Sequence, residues 1–507
     1  MNSSPGITFF FSKWRFFFII SVISAIFFSA CSSTPVISAG KPSQIAAVAA
    51  ISVLPVVYIA AGILPYAGDP IVSDELRNSF NMDNFFGESP IPERVKLLDC
   101  GWEAFTHRVN LISKAQQEIY FATFIFRRGT TPAIIIGALL SAADRGVRVN
   151  VIIDGKGNLM PRRYMDILAS HGNINFFRFN NLNFLRPGDI PMVFHDKYMT
   201  IDNRFMILGG RNIGDRYFKP GCFLGTPAFD MEVLVYNTNP DYNGSISAVR
   251  DLFHKTINAP LTSLYQPRRR ISRTWEAQKY YHIALYKTFK NSNGSLSGFD
   301  YYANTISVNK ITMIYNPREG RKKEAVIAYN LLRIAYHSDD ILIQSPYFTM
   351  TNRFLDIFAE ASRQSDITLL TNSLASAVNP PGSSRYFANR RNILNRTNLT
   401  IYEYQDTETS IHGKSFNFDD RLTVITSFNL NMRSIQIDLE TALIIDSREF
   451  NAIVRESVNS LMSRSLRVLD HRTFYPNENV MPGHVTRRKR LFYNFMGRLL
   501  VIGRLII

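Results

Sequence analysis

Two segments of this chain place a histidine and a lysine two residues apart, with an aspartate further on. The first segment contains His195, Lys197 and Asp202. The second contains His412, Lys414 and Asp419, so both follow the pattern H-x-K-x4-D. Histidine can attack an electrophile or exchange a proton near neutral pH, and a lysine ammonium group can neutralise an anion. Two such pairs suit a reaction at one anionic group that requires both an attacking atom and a proton donor.

The elements that carry the motifs must bring these side chains together. Side chains two positions apart on a β-strand point to the same face of the sheet. A strand at each motif therefore directs the imidazole and the ammonium group to one point. We expect this arrangement at both motifs.

The aspartate of each motif lies at an odd offset from the histidine and precedes a turn-forming residue. Asp202 is followed by Asn203, and Asp419 is followed by Asp420. We therefore expect Asp202 and Asp419 to tie the following hairpin turn rather than to transfer protons.

A segment rich in small residues follows each motif after a short apolar strand. These segments are Gly209-Gly210-Arg211-Asn212 and Thr426-Ser427-Phe428-Asn429. Small residues allow backbone N–H groups to approach a phosphate, and an asparagine amide adds a donor. The predicted phosphate-binding residues are therefore Gly210, Asn212, Ser427 and Asn429.

Acidic residues follow these segments at Asp230, Glu232 and Glu440. A carboxylate that accepts a hydrogen bond from the far ring nitrogen of a histidine fixes the tautomer and stabilises the imidazolium. We therefore expect these acids to support the two histidines.

The motifs belong to a body that repeats one order of elements. In the first copy, apolar spacing predicts helix, strand, helix and strand over Glu103–Lys114, Ile119–Phe126, Ala133–Arg145 and Val147–Ile153. In the second copy, the same elements are predicted over Glu324–Tyr336, Ile341–Ser345, Phe354–Ser362 and Ile367–Leu370. Strands that alternate with helices predict parallel strands with crossover helices in an α/β fold.

The duplication sets the predicted domain boundaries. We expect two halves over residues 95–260 and 311–475, a connector over 261–310 and a basic, apolar C-terminal tail over 476–507. The connector contains a helical stretch with Trp275, Tyr280 and Tyr281. A helix packed on the body is favoured there over one that lies on a headgroup surface.

Length and composition restrict the class of protein. A chain of 507 residues with 46% apolar and 19% charged residues has material for more than one core and is not mostly disordered. The net charge of +16 favours an anionic partner, either phospholipid headgroups or nucleic acid. The cysteines Cys31, Cys100 and Cys222 lack the spacing of a zinc site, and the last two are expected to be free thiols.

The N-terminal residues are typical of a membrane address. Lys13 and Arg15 precede the uncharged run Phe16–Ala30, which ends at Cys31 and resembles a bacterial lipoprotein signal whose cysteine is lipidated. A second uncharged run, Ile45–Ala67, is long enough to cross about 30 Å of hydrocarbon, although Pro55 and Pro65 would kink or end it. The alternatives are a lipoprotein that begins at Cys31, an uncleaved pair of membrane helices, and a buried soluble helix for the second run.

Together these motifs resemble the phospholipase D superfamily, whose signature is a duplicated His-Lys-Asp motif followed by a small-residue and asparagine segment. The resemblance covers roughly Glu103 to Asp446. Four strings are most similar to bacterial cardiolipin synthases: Ala142–Val147, Gly209–Asp215, Ser345–Phe348 and Leu370–Leu374. Gly209–Asp215 and Thr371–Leu374 resemble in particular the third type described in enteric bacteria. Thr426, where glycine is usual, and Arg363–Asp366 depart from the family pattern.

This resemblance implies a fold and a mechanism. The fold would be a duplicated phospholipase D fold, with two mixed-sheet halves flanked by helices around one central active site. His195 would attack phosphorus to form a phosphatidyl-histidine, and His412 would act as the acid and base. Lys197 and Lys414 would hold the non-bridging oxygens, so neither a metal nor another cofactor is expected.

The resemblance also implies a substrate and a location. The favoured product is cardiolipin, made from phosphatidylglycerol with phosphatidylglycerol or phosphatidylethanolamine as donor, at a bacterial membrane. Phospholipase D hydrolysis is the alternative if water is the acceptor, and cleavage of nucleic acid is a third possibility that the apolar N-terminal runs disfavour. Partners are therefore expected to be glycerophospholipids rather than nucleic acid, while donor, acceptor, leaflet and oligomeric state stay open.

Overall fold

The computed structural model describes residues 54–55, 57–218, 226–267, 273–292, 296 and 298–499. The predicted signal at Phe16–Ala30, Cys31, Cys222 and residues 45–53 of the second apolar run lie outside the described residues. Cys100 is an exposed free thiol. Within the described ranges, no helix has the length and apolar character needed to cross a bilayer.

Two compact units divide the chain. The smaller comprises residues 1–67 and 183–191, and the larger contains the remainder. In the smaller unit, residues 57–63 are helical and continue into a 3-10 turn over Leu64–Tyr66 with Pro65 inside it. The Tyr66 hydroxyl donates a hydrogen bond of 2.6 Å to the Gly188 carbonyl oxygen, which ties the two segments of this unit together.

The larger unit contains two large mixed sheets. The strands before residue 308 are β1 (Glu93–Leu98), β2 (Glu118–Thr123), β3 (Arg148–Asp154), β4 (Ile174–Phe179), β5 (Tyr198–Ile201), β6 (Phe205–Gly209), β7 (Ala228–Phe229), β8 (Glu232–Asn237), β9 (Thr262–Leu264) and β10 (Ile306–Ser307). The later strands are β11 (Lys310–Tyr315), β12 (Asp340–Gln344), β13 (Phe348–Thr349), β14 (Asp366–Asn372), β15 (Thr400–Tyr404), β16 (Ser410–Ile411), β17 (Ser415–Phe418), β18 (Leu422–Thr426), β19 (Leu430–Asn431), β20 (Thr441–Asp446) and β21 (Ser465–Arg467).

Helices cover these sheets. They are α1 (Asp74–Ser79), α2 (Gly101–Lys114), α3 (Thr130–Asp144), α4 (Arg162–Ala169), α5 (Asp215–Phe218), α6 (Ser245–Ile257), α7 (Arg273–Ser292), α8 (Val326–Ala335), α9 (Asn352–Gln364), α10 (Pro380–Arg396), α11 (Met432–Gln436), α12 (Arg448–Met462) and α13 (Arg487–Leu499).

The two sheets repeat one topology strand for strand, except that the edge strand β10 of the first sheet has no equivalent among the described strands of the second. The first runs β10-β1-β8-β6-β5-β2-β3-β4-β9 and the second runs β11-β20-β18-β17-β12-β14-β15-β21. In each sheet three neighbouring strands are parallel: β2 pairs with β3 and β3 with β4 in the first, and β12 pairs with β14 and β14 with β15 in the second. The other pairs are antiparallel. This repetition confirms the predicted duplicated α/β fold with two mixed-sheet halves.

The predicted elements agree with this topology, with shifts at their ends. The strand predicted over Ile119–Phe126 ends at Thr123, because Phe126 bridges to Ile213 outside the sheet. Strands β9 and β10 fall within the stretch predicted as a connector, but they pair with β4 and β1. Gly146 adopts φ +94° immediately after Arg145, the C-cap residue of α3, and this left-handed conformation is a common way to end a helix.

A shared core joins the sheets. Leu208 and Val233 of the first sheet belong to the same buried apolar cluster as Ile425 and Leu443 of the second. Each half also has its own apolar cluster under its helices. The cluster of the first half lies around α2 and α3, and that of the second half lies around α8 and α9. The face between the sheets is therefore part of the hydrophobic interior of the larger unit.

The connector helix α7 packs against α3. Helix α3 is apolar around its whole circumference, which is typical of a helix that is covered on all sides. A Cβ atom built on Gly137 would overlap the His282 carbonyl oxygen and meet Tyr286 Cβ at 3.0 Å. The opposite side of α7 exposes Tyr280 and Tyr281. The glycine therefore allows the two helix backbones to approach closely.

This packing predicts that Gly137→Ala destabilises the protein. Alanine is the better helix former by about 1 kcal/mol, so propensity alone predicts stabilisation. Overpacking against α7 costs about 1–3 kcal/mol and reverses the sign. Thermal unfolding of the detergent-solubilised chain measures the change, with Gly172→Ala as control because a Cβ atom there meets no atom within 4 Å. An equal or higher midpoint for Gly137→Ala would contradict the close contact.

Candidate active site

Each histidine motif pairs with a segment of the opposite half. The His195 N–H donates to the Leu439 carbonyl oxygen at 3.0 Å, and Phe194 forms a parallel bridge with Leu439. Strand β16 pairs in parallel with β7, and the His412 N–H donates to the Phe229 carbonyl oxygen at 2.6 Å. Leu439 and Phe229 directly precede the acidic residues of their own halves. Backbone pairing therefore places each histidine beside a carboxylate from the other half.

These pairings also explain where the motif strands begin. The prediction placed the histidines and lysines on the strands themselves, whereas β5 begins at Tyr198 and β17 begins at Ser415. Both histidine N–H groups bond to the opposite half instead of to a neighbouring strand of their own sheet. The motif is extended, but its first residues are used to join the halves.

The histidine and carboxylate contacts are reciprocal. His195 Nδ1 lies 3.0 Å from Glu440 Oε2, and His412 Nδ1 lies 2.5 Å from Asp230 Oδ2. The sheet register makes Asp230 and Glu440 equivalent positions, because β6 with β8 and β18 with β20 share one alignment. Each carboxylate occupies Nδ1, so Nε2 is the ring nitrogen that can react.

Glu232 has a different place from the one predicted. It is buried and pairs with Arg211 Nη1 at 2.7 Å and Arg108 Nη1 at 2.8 Å, not with either histidine. Arg211 also donates to the Asp230 carbonyl oxygen at 2.5 Å. Glu232 therefore positions Arg211, and Arg211 in turn positions the backbone of Asp230. The equivalent position in the second half is Ala442, so this support exists on one side.

Two lysines are buried next to the histidines. Lys197 Nζ donates to the His195 carbonyl oxygen. Lys414 Nζ donates to the His412 carbonyl oxygen at 2.5 Å and lies 2.9 Å from the Nδ1 atom of the same residue. A Cβ atom on Gly210 would overlap the Asp230 carboxylate and meet Lys414 Nζ at 3.2 Å. The Gly210 N–H donates to the Met231 carbonyl oxygen, so this glycine makes room for the lysine instead of offering a donor.

The other predicted phosphate ligands are engaged in the protein. Asn212 Oδ1 accepts from the Ile125 N–H at 3.2 Å, and its amide nitrogen donates to the Tyr217 hydroxyl at 3.3 Å. Ser427 Oγ donates to Glu440, and the backbone N–H of Asn429 donates to Ser434 Oγ. Ser434 Oγ also donates to Glu440, at 2.5 Å. Among the described residues, the Asn429 side-chain oxygen is buried without a hydrogen-bond partner.

The motif aspartates lie at the turns. Asp202 accepts from three backbone N–H groups, of Gln116, Gln117 and Glu118, at 2.6 to 2.8 Å. Asp419 accepts from two backbone N–H groups at the start of β12, of Asp339 and Asp340. Both aspartates adopt positive φ, +50° and +49°. Each carboxylate therefore ties its turn to the beginning of the neighbouring strand.

Sequence reasoning missed the residues that surround the motifs. The Phe124 ring lies 5.0 Å from His195 and the Tyr217 ring lies 5.3 Å from His412, centre to centre. Asp196, between the motif residues, is buried and pairs with Arg318 of the other half at 2.8 Å. A charged residue between His195 and Lys197 was a visible signal, but its partner lies over a hundred residues away.

Burial and the clustered charges shift the pKa values of these groups. Burial lowers the pKa of Lys197 to about 8 and that of Lys414 to about 7, although Asp230 and Glu440 oppose the change. Burial and then Lys414 lower the pKa of His412 to about 3, and burial followed by Lys197 holds that of His195 well below its usual value. Both imidazoles are therefore neutral at rest and each can offer a lone pair.

The two supporting carboxyl groups differ in charge state. Burial favours the neutral form of Asp230, but His412 and Lys414 outweigh it and lower the pKa to about 2. Burial raises the pKa of Glu440 to about 7 against the opposing effects of Lys197, Ser427 and Ser434. The acid beside His412 is ionised at neutral pH, whereas the acid beside His195 titrates there. The described residues contain no group of three or more His, Cys, Asp or Glu side chains suited to a metal ion.

This arrangement suits one phosphodiester. Two ammonium groups can neutralise the non-bridging oxygens, one neutral imidazole can attack phosphorus, and the other can exchange a proton with an alcohol oxygen. Two repeated mixed sheets with one histidine and lysine pair from each half define a phospholipase D-type enzyme.

Comparisons with known proteins identify the family. The family model described as "Cardiolipin synthase, PLD-like domain" matches residues 109–248 and 331–462. The chain therefore belongs to the phospholipase D-like cardiolipin synthase family and is a phospholipase D-type phosphatidyltransferase. The predicted resemblance is confirmed.

Individual relatives agree with this assignment. Cardiolipin synthase C of Escherichia coli K12 is 25% identical over 409 residues, which cover 70% of this chain and 82% of that protein. An uncharacterized protein of Helicobacter pylori 26695 is 30% identical over 433 residues, which cover 76% of this chain and 82% of that protein. The crystal structure of phosphatidylserine synthase from Haemophilus influenzae Rd KW20 shares the fold, with a TM-score of 0.59, 15% identity and coverage of 82% and 95% of the two chains.

The lysine pKa values predict the alkaline limb of the pH profile. A lowered lysine pKa means that the ammonium form is present below about pH 7 for Lys414 and about pH 8 for Lys197, and is lost above. We expect kcat/KM, which reports the free enzyme, to fall as pH rises through 7 to 8. A bound phosphodiester raises both pKa values, so kcat should fall at higher pH.

Lys414→Arg serves as the diagnostic variant. A guanidinium group keeps its charge up to about pH 12, so the part of the decline that belongs to Lys414 should disappear even if the rate is lower. A wild-type kcat/KM that stays constant from pH 7 to 9 would contradict the assignment of these pKa values.

Proposed function

We propose that this enzyme makes cardiolipin by transferring a phosphatidyl group to the glycerol hydroxyl of phosphatidylglycerol. The observation that carries the proposal is the reciprocal pairing of His195 with Glu440 and of His412 with Asp230 around two buried lysines. Phosphatidylglycerol or phosphatidylethanolamine serves as donor. The match to cardiolipin synthases supports this product.

The proposed first step is attack of His195 Nε2 on the donor phosphorus. A P–N bond forms, the bond from phosphorus to the headgroup oxygen breaks, and His412 gives its proton to that oxygen. The neutral resting state of His195 supports its role as nucleophile, because only the neutral imidazole has a free electron pair. Lys197 and Lys414 neutralise the charge that develops on the non-bridging oxygens.

The proposed second step reverses the roles around phosphorus. His412 takes the proton of the incoming hydroxyl, the hydroxyl oxygen attacks phosphorus, and the P–N bond to His195 breaks. The ionised Asp230 at 2.5 Å supports His412 in this role, because a full negative charge stabilises the imidazolium. The anionic phosphodiester adds to this effect when it binds, so His412 gains its proton in the complex.

Product analysis tests the proposal. The purified full-length protein is incubated in vesicles of phosphatidylglycerol and phosphatidylethanolamine whose acyl chains carry different isotope labels. Mass spectrometry then identifies the product and the donor of each phosphatidyl group. Cardiolipin is the expected product, and phosphatidic acid without cardiolipin would indicate hydrolysis instead. The His195→Ala, His412→Ala double variant controls for contaminating activity.

Separate substitution of the two histidines tests their roles. Given a donor with an activated leaving group, His412→Ala should still form a phosphatidyl-enzyme, because such a group needs little protonation to depart. His195→Ala should form none, and both variants should lose nearly all cardiolipin synthesis. Radiolabelled donor, quenched into acid or base, measures this, since phosphohistidine is labile in acid and stable in base.

Two results would overturn the assignment. Label that persists in His195→Ala but is absent from His412→Ala would exchange the roles. An absence of label in the wild-type protein while synthesis continues would exclude the covalent intermediate.

A further inference from the structure

The last described helix, α13, packs on the body with one face. Tyr493 and Gly497 are buried on this inner face. The Tyr493 hydroxyl donates to the Ala377 carbonyl oxygen at 3.0 Å. A Cβ atom on Gly497 would meet the Ser384 carbonyl oxygen of α10 at 2.7 Å. The inner face is therefore fully used by contacts with the second half.

The outer face of α13 is apolar as well. Leu491, Phe492, Phe495 and Leu499 are exposed by 59%, 49%, 61% and 47%. Their spacing of one, three and four residues places them on a single side of a helix. The packing of the inner face does not require large apolar residues on the outer face. This exposed apolar stripe is therefore expected to contact another apolar surface.

The beginning of the same helix is strongly basic. Arg487, Arg488 and Arg490 lie in the first turn, and none forms an ion pair with a carboxylate of the described residues. Cations at a helix N-terminus oppose the helix dipole, so they do not serve helix stability. No acidic residue occurs from position 479 to 499. The uncovered surface thus combines an apolar stripe with uncompensated positive charge.

Helix α13 is also attached to the active site through α10. The side-chain amide of Asn379 donates to the Tyr347 hydroxyl at 2.9 Å, and a Cβ atom on Gly382 in α10 would meet the Tyr347 ring at 2.8 Å. The Asn372 side-chain amide donates to the carbonyl oxygens of Pro346 and Ile411, which directly precede Tyr347 and His412, so Tyr347 lies on the His412 side of the site. A surface that seats α13 is therefore one packed helix away from the catalytic groups.

We infer that α13 lies in the plane of an anionic phospholipid surface, with Phe492 and Phe495 in the acyl boundary and the three arginines among the phosphates. An apolar stripe beside a cluster of cations is the pattern of an interfacial helix. Anionic lipid attracts each cation near its surface, whereas a protein partner of this chain would have to supply a matching acidic surface. The choice of a phospholipid as the ligand of α13 rests on the proposed function. The exposed apolar and basic surface of α13 is observed independently of that function.

Depth-dependent quenching tests the inference on the full-length chain. The apolar N-terminal runs could hold the chain at a bilayer by themselves, so membrane binding alone is not informative. Phe495→Trp is compared with Tyr302→Trp, because Phe495 and Tyr302 are both aromatic and both 61% exposed. Each variant is placed in phosphatidylglycerol vesicles that contain acyl-brominated phosphatidylglycerol, and the signal of the three native tryptophans is subtracted.

We expect quenching of the tryptophan at 495 to exceed that at 302 by at least about twofold. The excess should decrease when Arg487, Arg488 and Arg490 are replaced by glutamine, and also in high salt. Equal quenching at both positions would overturn the inference. If the tryptophan at 495 is shielded from solvent in the absence of vesicles, and the shielding increases with protein concentration, a second copy of the chain covers this surface. That result would also overturn the inference.

Product analysis in the same vesicles separates this inference from the proposed function. Strong quenching at 495 without any cardiolipin would refute the proposed product and leave the membrane surface in place. If the triple glutamine variant forms cardiolipin at the wild-type rate and its quenching is unchanged, the arginines do not contribute to membrane contact. That result would refute the inference, because the inference places the arginines among the phosphates.

Discussion

The site depends on one interaction, the bond from each histidine to a carboxylate of the opposite half. The contact between His412 and Asp230 and that between His195 and Glu440 fix which ring nitrogen faces the substrate. The same carboxylates make it tolerable to bury Lys197 and Lys414, because two unpaired ammonium groups in this interior would be very costly. Removing either acid would thus disturb a tautomer and a buried cation together.

The fold serves this interaction through its repetition. Two sheets of equal topology share an apolar face, and short parallel pairings on either side bring β7 to β16 and Phe194 to Leu439. The position of each motif histidine is therefore set by backbone hydrogen bonds and a packed core, not by flexible side chains alone. Such preorganisation is what electrostatic stabilisation of a transition state requires.

Much of this could be predicted from the sequence because the signals are local. The motif spacing, the helix and strand periodicity and the repeat all lie within short windows, and they indicated the fold class and the central residues. Acidic partners for the histidines were predicted, but the sequence did not show that each acid serves the histidine of the opposite half or that Arg318 pairs with Asp196, because these partners lie more than a hundred positions apart. Glu232 is an example of a wrong assignment from sequence position. It was predicted to support a histidine, but its carboxylate pairs with Arg108 and Arg211.

The exchange of carboxylates between the halves has the form of an isologous contact, in which one patch binds its own copy about a two-fold axis. A single half would hold a histidine without its acid, so a protein of that length would need a second copy to complete either site. Joining the copies in one chain makes the association independent of concentration. It also allows equivalent positions of the two halves to carry different residues. Asp230 corresponds to Glu440, Asp196 to Gly413 and Glu232 to Ala442. Covalent fusion thus allows the two ends of one reaction to be tuned separately.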